Sequence, residues 1–261
     1  MKQGVNPSTV AAVAKLLAGA KSALFITGAG LSQDSGLPTY RGVGGLYEAR
    51  DTTDGIPIEE ALSGPMFRKR PELVWKYLDQ IGKNLLGARP NRGHEVIAEL
   101  ERRMSRVWTL TQNVDAFHGQ AGSHNVIEIH GDVHRLHCTM CPHRELVLDW
   151  SELDIPPDCP QCASVLRPEV VLFGEMLPDD AIRTLNRELD RGFDVVLSIG
   201  TSSLFPYIAE PVLMAERAGI PTVEINPGVT DISDVVTHKL SGRAAPVLDA
   251  ILDAYLGLLD G

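Results

Sequence analysis

The chain has 261 residues, of which 44% are hydrophobic and 22% charged, so it can bury a core as one large domain or as a large domain with a small insert. Its net charge is −10, from 24 basic and 34 acidic residues. This charge argues against a general nucleic-acid-binding surface, which needs a basic patch, but is compatible with a locally basic partner. No apolar run approaches the ~18 residues of a membrane span, and residues 1–8 lack a signal-peptide pattern, so we expect a cytoplasmic protein that binds no membrane.

Apolar periodicity and turn residues predict helices and strands that alternate along the chain. Helices are expected at 7–17, 71–86, 93–102, 179–189, 206–218 and 245–256. Strands are expected at 22–27, 107–111, 126–129, 169–173, 194–199 and 222–225. This alternation predicts an α/β protein with a parallel, doubly wound sheet.

The segment "FITGAGLSQDSGLPTYRG" (25–42) begins like a dinucleotide-binding turn. A strand that reads as buried runs into Gly28-Ala29-Gly30, but the third glycine of the usual fingerprint would fall at position 33, which is Gln. Polar residues, Pro38 and Arg41 follow instead. We therefore expect a phosphate-binding turn that leads into a long irregular segment rather than a helix.

All four cysteines lie in two C-x2-C pairs, Cys138 with Cys141 and Cys159 with Cys162. This spacing is typical of a zinc ribbon, because two residues between thiolates let the backbone present both sulfurs to one tetrahedral ion. Two disulfides or a redox pair are the alternatives, and the lack of a secretory signal disfavours disulfides. Histidines at 134, 137 and 143 could substitute as ligands, but four thiolates already fill the shell. The ion is therefore expected to be structural and to stabilise an insert at 135–166 that is too small for its own core.

Polar or glycine-bearing segments directly follow five of the predicted strands. Because ligands of a doubly wound sheet bind beyond the carboxyl ends of its strands, these segments are expected to lie around one bound molecule. Because the first of them is the glycine turn, they predict a dinucleotide crevice. The segments are 28–30, 112–115, 130–131, 200–203 and 226–228.

These motifs, in this order, resemble the sirtuins, the NAD-dependent protein lysine deacylases, in a bacterial-type form. The resemblance covers about residues 17–256 and is carried by "GAGLSQDSGLPTYRG" (28–42), "TQNVDAFHGQAGS" (111–123), "IEIHG" (127–131), the paired cysteines, "PEVVLFGEMLP" (168–178), "GTSS" (200–203) and "INPG" (225–228). It implies a discontinuous Rossmann-like NAD-binding domain (1–45, 106–134 and 167–261), a helical insert (46–105) and a zinc-binding module (135–166).

The resemblance also implies which residues bind NAD. The glycines would let the backbone approach the phosphates. Ala29 and Pro38 would help form the nicotinamide pocket. Tyr40 occupies the position at which the family most often has Phe. From the residues alone, Asn113 and Asp115 are equally well explained as caps at a strand end. The implied NAD-binding residues are Gly28, Ala29, Gly30, Ser32, Pro38, Tyr40, Arg41, Gln112, Asn113, Asp115, Gly200, Thr201, Ser202 and Asn226.

The implied catalytic residues are His130, Asn113 and Asp115. In the family mechanism, the acyl oxygen of the substrate attacks C1′ of the nicotinamide ribose, and His130 accepts a proton from a ribose hydroxyl. An unperturbed histidine titrates near neutrality and suits this role, although a lone histidine at a strand end is more often structural. The products would be nicotinamide, free lysine and O-acyl-ADP-ribose.

The segment "VVLFGE" (170–175) is implied to bind an acylated-lysine protein or peptide. An extended edge can pair with a substrate strand, and alternate residues would then flank the acyl-lysine tunnel. A plain core strand is the alternative, and the oligomeric state stays open, with a monomer plausible. The implied substrate-binding residues are Val170, Val171, Phe173, Gly174 and Glu175.

The acyl group is expected to be neutral. A sirtuin branch that prefers succinyl and malonyl lysine carries a Tyr and an Arg three positions apart on the helix after the cofactor loop. Here the matching positions are Leu78 and Ile81, and Asp79 would repel an anion, whereas the literal Tyr47-x-x-Arg50 lies in the preceding loop. A buried carboxylate without a cationic partner is unfavourable, so acetyl or a longer neutral chain is predicted.

Two other functions remain compatible with the sequence. A mono-ADP-ribosyltransferase or NAD hydrolase would use the same cofactor. A non-catalytic NAD or ADP-ribose binding module is disfavoured by the intact Asn113, Asp115 and His130.

Overall fold

The computed structural model describes residues 6–39 and 52–260, and within these ranges helices and strands alternate along the chain. The strands are β1 (Ser22–Thr27), β2 (Arg106–Thr111), β3 (Val126–Glu128), β4 (Gly131–Cys138), β5 (Arg144–Leu146), β6 (Leu166–Val170), β7 (Val195–Ile199), β8 (Thr222–Ile225) and β9 (His238–Leu240). The helices are α1 (Pro7–Gly19), α2 (Ala29–Ser32), α3 (Ile58–Ala61), α4 (Gly64–Lys69), α5 (Pro71–Leu85), α6 (Arg92–Arg103), α7 (Phe117–Gln120), α8 (Asp179–Asp190), α9 (Pro206–Arg217) and α10 (Ala244–Leu259).

The larger sheet is parallel throughout, with the strand order β3-β2-β1-β7-β8-β9. Its centre is β1, a continuous apolar strand whose residues are all buried, as expected for a strand covered on both faces. Ala23 and Phe25 point into a core with α1, α6 and α10, whereas Leu24 and Ile26 point into a second core with α8 and α9. The predicted doubly wound α/β fold is therefore confirmed.

A smaller antiparallel sheet, β5-β4-β6, is inserted between β3 and α8. Its apolar residues share a third core with α3, α4 and α5. The indole of Trp75 on α5 donates a hydrogen bond to the carbonyl of Leu166 at 2.9 Å, and its ring lies 5.1 Å from that of Trp150. The small sheet and these helices therefore pack as one unit.

Helix α6 packs differently from the other helices in the predicted insert at 46–105. Val96, Ile97 and Leu100 belong to the core formed by α1, α10 and the large sheet. Asn91 caps the helix by accepting from the N–H of Gly93 at 2.8 Å. Within that predicted insert, residues 58–85 thus pack with the small sheet and residues 92–103 with the parallel sheet.

Two local expectations were wrong. After the glycine turn the chain forms the helical turn α2 and a 3-10 turn, because Leu31 is completely buried in the core. The strand expected at 169–173 instead covers Leu166–Val170. It includes Pro168, a residue that argues against a strand in sequence but is tolerated at an edge, and β6 is an edge of the small sheet.

Among the described residues, none of the helices combines the length and the apolar character that a bilayer crossing requires.

Candidate active site

The glycine turn after β1 packs directly against the turn after β7. A Cβ atom on Gly30 would lie 2.7 Å from Cα of Gly200, and one on Gly28 would lie 2.9 Å from the carbonyl oxygen of Gly200. Gly200 has φ +60°, in the left-handed region that favours glycine. The contact between these two strand ends therefore requires the three glycines, independently of any phosphate.

A buried polar network joins this turn to the end of β2. The hydroxyl of Ser32 donates to the carboxylate of Asp115 at 2.7 Å and accepts from the amide of Asn113 at 3.1 Å. The same amide donates to the carbonyl of Gly28 at 3.1 Å. Burial raises the pKa of Asp115, whereas its hydrogen bonds from Ser32 and the backbone of Phe117 act in the opposite direction. The network fixes three predicted site residues against one another.

These residues line a cavity between the parallel sheet and α5. Its wall combines apolar side chains with the polar groups of the network, and it holds five of the predicted site residues, Ala29, Ser32, Pro38, Asn113 and Asp115. The other lining residues are Leu37, Ile81, Asn84, Leu85 and Val114. Apolar walls with a few fixed polar groups are the lining that small-molecule sites typically have.

A second chain of hydrogen bonds crosses the carboxyl edge of the sheet. The amide of Gln112, after β2, donates to the hydroxyl of Thr201, after β7, at 2.7 Å. The amide of Asn226, after β8, donates to the carbonyl of Thr201 at 2.9 Å, and its oxygen accepts from the N–H of Gly228 at 3.0 Å. Ser202 is exposed beside them. The strand ends meet as expected, and their amides and hydroxyls fit a dinucleotide, although the amides of Gln112 and Asn226 already bond to the protein.

His130 lies where β3 ends, and both of its ring nitrogens are bonded. Nδ1 lies 3.0 Å from the carbonyl oxygen of Gln112, and Nε2 lies 2.8 Å from the hydroxyl of Tyr207. A carbonyl only accepts hydrogen bonds, so Nδ1 carries the proton and Nε2 is the basic nitrogen. Burial lowers the pKa of His130, with a smaller opposing effect from the Gln112 carbonyl. The ring is thus neutral at working pH and able to accept a proton.

The segment after β6 connects His130 to the helices next to the small sheet. Val171 donates its N–H to the carbonyl of His130 at 2.9 Å, and Phe173 donates to the carbonyl of Leu62 at 2.9 Å. Leu172 is buried, whereas Val171 and Phe173 are half-buried on the other side. Residues 171–173 therefore alternate in burial although β6 ends at Val170.

Gly174 and Glu175 close this segment as a turn. Gly174 has φ +77°, which favours glycine. The carboxylate of Glu175 accepts two hydrogen bonds from Arg167, at 2.8 and 2.9 Å, and one from the N–H of Leu172 at 3.0 Å. Burial raises the pKa of Glu175, but these bonds outweigh it and the pKa is lowered overall. The carboxylate predicted to bind substrate is therefore occupied within the protein.

Tyr40 and Arg41 lie outside the described residues, as do Tyr47 and Arg50. On α5, Leu78 is buried in the core, so only Ile81 of the two compared positions lines the cavity. The carboxylate of Asp79 forms an ion pair with Lys83 at 2.5 Å and is therefore not a free anion.

The four cysteines converge beside the small sheet, where Cys138 ends β4 and the other three lie in loops. Their sulfur atoms all lie within 4.8 Å of one another, with 3.5 Å between Cys138 and Cys162 and 3.6 Å between Cys141 and Cys159. Four thiolates at Zn–S distances of ~2.3 Å lie roughly 3.8 Å apart, so the donor set fits a structural zinc ion. Of the candidate substitute ligands, His134 bonds to Asp132 at 3.0 Å.

Neither Tyr207 nor Phe205 was selected from the sequence. Both rings lie perpendicular to that of His130, with centroids 5.9 and 6.0 Å away. The available signal was their position, since an aromatic residue in the first turn of a helix after a strand lies at the ligand-binding edge of the sheet.

Comparison with known proteins assigns this geometry to a family. Residues 28–205 match the sequence profile of the Sir2 family. The chain is 54% identical to "NAD-dependent protein deacylase 2" of Pseudomonas aeruginosa, over 94% of this chain and 96% of that protein. It superposes on a Sir2 homologue–NAD complex with a TM-score of 0.84 at 36% identity, covering 95% of this chain and 94% of that one. A Sir2–p53 peptide–NAD⁺ complex gives 0.79 at 30% identity, covering 94% and 97%.

Proposed function

Because the chain belongs to the Sir2 family and is an NAD-dependent protein deacylase, we propose that it removes acetyl or other neutral acyl groups from lysine side chains, with His130 as the proton acceptor. The observation that carries this proposal is the pair of hydrogen bonds made by the His130 ring. Its Nδ1–H is held by the Gln112 carbonyl, so Nε2, which lies 2.8 Å from the Tyr207 hydroxyl, is the nitrogen that can accept a proton. NAD, when bound, supplies the electrophilic ribose carbon and the ribose hydroxyls, and zinc supplies only structural support.

The polar network is proposed to hold the nicotinamide end of the cofactor. Asn113 and Asp115 are fixed by Ser32 and the Gly28 carbonyl, so they can be presented to a ligand without losing side-chain entropy. Ala29 and Pro38 form the apolar wall beside them. Such preorganisation matters here because an amide oxygen is a weak nucleophile and orientation must provide much of the rate.

The remaining strand ends are proposed to bind the rest of the dinucleotide. Backbone groups of the glycine turns would hold the phosphates, and Thr201, Ser202 and Asn226 would contact phosphate and ribose. The exposed hydroxyl of Ser202 supports this assignment. We also propose that Arg41 holds phosphate and that Tyr40 forms an aromatic wall on the nicotinamide side.

The protein or peptide substrate is proposed to lie along residues 170–174. Val171 lies next to His130, since its N–H bonds to the His130 carbonyl, and the side chains of Val171 and Phe173 are both half-buried. A solved relative binds a p53 peptide together with NAD⁺. Glu175 is proposed to shape this segment through Arg167 rather than to contact substrate.

The central test is His130→Ala with an acetyl-lysine peptide, incubated with and without NAD and analysed by mass spectrometry. Loss of the proton acceptor should lower turnover by about 10²- to 10⁴-fold while NAD binding, measured by calorimetry, is retained. His124→Ala, on an exposed histidine, is the matched control. Near-normal turnover of His130→Ala would remove this residue from the mechanism. Transfer of ADP-ribose to the peptide, with the acetyl group intact, would instead indicate an ADP-ribosyltransferase.

The acyl preference rests on the cavity lining. Among the described lining residues none is cationic, and Ile81 occupies a position at which an arginine could pair with an anionic acyl group. We expect kcat/KM for acetyl or butyryl peptides to exceed that for succinyl peptides. Ile81→Arg should raise the ratio of kcat/KM for succinyl peptides to kcat/KM for acetyl peptides about tenfold or more. This corresponds to roughly 1.4 kcal/mol of transition-state stabilisation.

Gln80→Arg adds the same charge at the neighbouring exposed position and should leave the ratio unchanged. A wild-type enzyme that prefers succinyl peptides by more than about tenfold would contradict the proposed neutral acyl substrate.

A further inference from the structure

The basic nitrogen of His130 already has a hydrogen-bond partner within the protein. Nδ1–H is used by the Gln112 carbonyl, so Nε2 can only accept, and the hydroxyl of Tyr207 donates to it at 2.8 Å. A neutral imidazole nitrogen has one lone pair. While this lone pair accepts the hydrogen bond from Tyr207, it cannot accept a proton from a ribose hydroxyl.

The contact between these residues spans the cofactor edge of the sheet. Tyr207 lies in the first turn of α9, which follows β7, whereas His130 follows β3, and β1 and β2 lie between those strands. At ~4.8 Å between neighbouring strands, β3 and β7 are roughly 14 Å apart. The Tyr207 ring packs against the core that contains residues of β1 and β2, so the contact joins two segments that these strands separate.

Aromatic packing holds Tyr207 in this position. Its ring stacks on that of Phe205, with centroids 5.4 Å apart and an interplanar angle of 11°. Both rings are perpendicular to the imidazole. Partial burial raises the pKa of Tyr207 to about 12, so the hydroxyl stays protonated and donates throughout the working pH range.

We propose that Tyr207 is a positioning residue that holds His130 in its basic tautomer and caps Nε2 until the cofactor's ribose hydroxyl displaces it. This inference rests on the proposed role of His130. The exchange moves no proton and breaks no covalent bond: one hydroxyl replaces another on Nε2. Because the Tyr207 side chain is half-exposed, its released hydroxyl can bond to water.

The cap has a defined effect on the charge of His130. Burial lowers the pKa of His130. A hydrogen bond donated to Nε2 stabilises the neutral ring, so on the proposed geometry the Tyr207 hydroxyl acts in the same direction as burial. The acidic groups on adjoining elements are paired elsewhere. Asp115 accepts from Ser32, Asp132 from His134 and Glu128 from Arg135.

The first experiment titrates His130 by NMR in ¹⁵N-histidine-labelled enzyme, with His130→Asn used to assign its signals. In the free protein, Tyr207→Phe should raise the pKa of His130, because the donor to the neutral ring is gone while the ring stack remains. With saturating ADP-ribose the two proteins should titrate alike, since the ribose hydroxyl has replaced Tyr207 in the wild type. Tyr255→Phe, a buried tyrosine in the α1–α10 core, is the matched control and should change neither titration.

The second experiment compares the two pH profiles of turnover with NAD as the varied substrate. The acid limb of kcat/KM reports groups of the free enzyme and should move to higher pH in Tyr207→Phe, whereas the acid limb of kcat reports the complex and should not move. At alkaline pH, kcat/KM should rise by up to about fivefold, because no hydrogen bond has to be displaced.

Two results would overturn the proposal. An unchanged His130 titration in free Tyr207→Phe would show that the cap does not act on Nε2. A fall in kcat of more than about tenfold at alkaline pH would mean that the proton passes through the Tyr207 hydroxyl instead. The NMR result does not depend on turnover. It therefore tests the hydrogen bond from Tyr207 to His130 separately from the catalytic role of His130.

Discussion

The two sheets of this protein are stabilised in different ways. In the parallel sheet, the four apolar residues of β1 are completely buried between two helical layers. In the small sheet, β5 is largely exposed, and Leu146 and Leu148 are 65% and 69% exposed. The small sheet buries apolar surface mainly where it meets α5, through Trp75 and Trp150.

This difference shows why the cysteines belong to one sheet only. Burial between two layers can stabilise a parallel sheet by itself, since each fully buried large apolar side chain contributes about 1.5–3 kcal/mol. A short three-stranded sheet that is covered on one side needs another source of stability, and four thiolates around a metal ion provide it. The two sheets should therefore respond to different perturbations.

The largest effect is expected from Cys159→Ser. A structural zinc site contributes apparent free energies of about 10–16 kcal/mol, so loss of one thiolate should release the metal and unfold the small sheet with the helices that share its core. Metal analysis and limited proteolysis measure the two effects. Met140→Ser, on an exposed residue between two ligands, should retain both zinc and protease resistance. A Cys159→Ser protein that lost zinc but stayed folded and fully active would contradict the structural role of the metal.

A smaller effect, confined to the parallel sheet, is expected from Lys239→Met. Lys239 pairs at 2.6 Å with Glu224 of β8, whose side chain is 1% exposed. Removing the partner of a buried charge destabilises a protein by about 3–5 kcal/mol. Urea unfolding of zinc-saturated protein should show this loss with an unchanged zinc content.

Lys83→Met is the control for this prediction, because it removes a lysine from the more exposed Asp79 pair and should change the free energy of unfolding by less than about 1 kcal/mol. Release of zinc by Lys239→Met would show that the two sheets are not independent.

The smallest effect is a pH dependence that originates beside the parallel sheet. His94 of α6 is fully buried, and burial lowers its pKa to about 4. Because the folded pKa lies below the unfolded value of 6.5, His94 contributes full stability above pH 6.5 and loses it as the pH falls towards 4. The loss amounts to about 3 kcal/mol over that window.

His94→Gln should therefore flatten the pH dependence of the free energy of unfolding between pH 6.5 and 4. His124→Gln, on an exposed histidine, is the control and should keep the wild-type slope. Both variants retain the cysteines, so metal release at low pH affects them equally. Identical slopes for His94→Gln and the wild type would mean that another group controls acid unfolding.

The sequence predicted most of the parallel sheet and much of the candidate site. Its central strands β1 and β7 are mostly apolar runs, which are recognisable because both of their faces are covered, whereas the edge strand β9 was not predicted. Ala29, Ser32, Pro38, Asn113 and Asp115 were all selected from strand-end positions and motif resemblance, and the structure brings them to one cavity.

The small sheet was harder to predict. The central strand β4 carries several polar and charged residues, and β6 contains a proline, so neither has a clear strand pattern. Their pairing depends on the metal and on contacts with α5, which lie far away along the chain. Helical turn α2 was missed for a similar reason, since the burial of Leu31 overrides a glycine- and polar-rich composition.

The sequence by itself determined the fold class, the metal ligands and the family, because these depend on periodicity, on the spacing of cysteines and on short motifs. Only the tertiary structure decided which polar groups of the site already have hydrogen-bond partners within the protein. Glu175 is bound by Arg167, and Nε2 of His130 by Tyr207, a residue 77 positions away in the chain. The physical reason is that a side chain's hydrogen-bond partners and burial depend on where distant strands end in space, which local sequence does not encode.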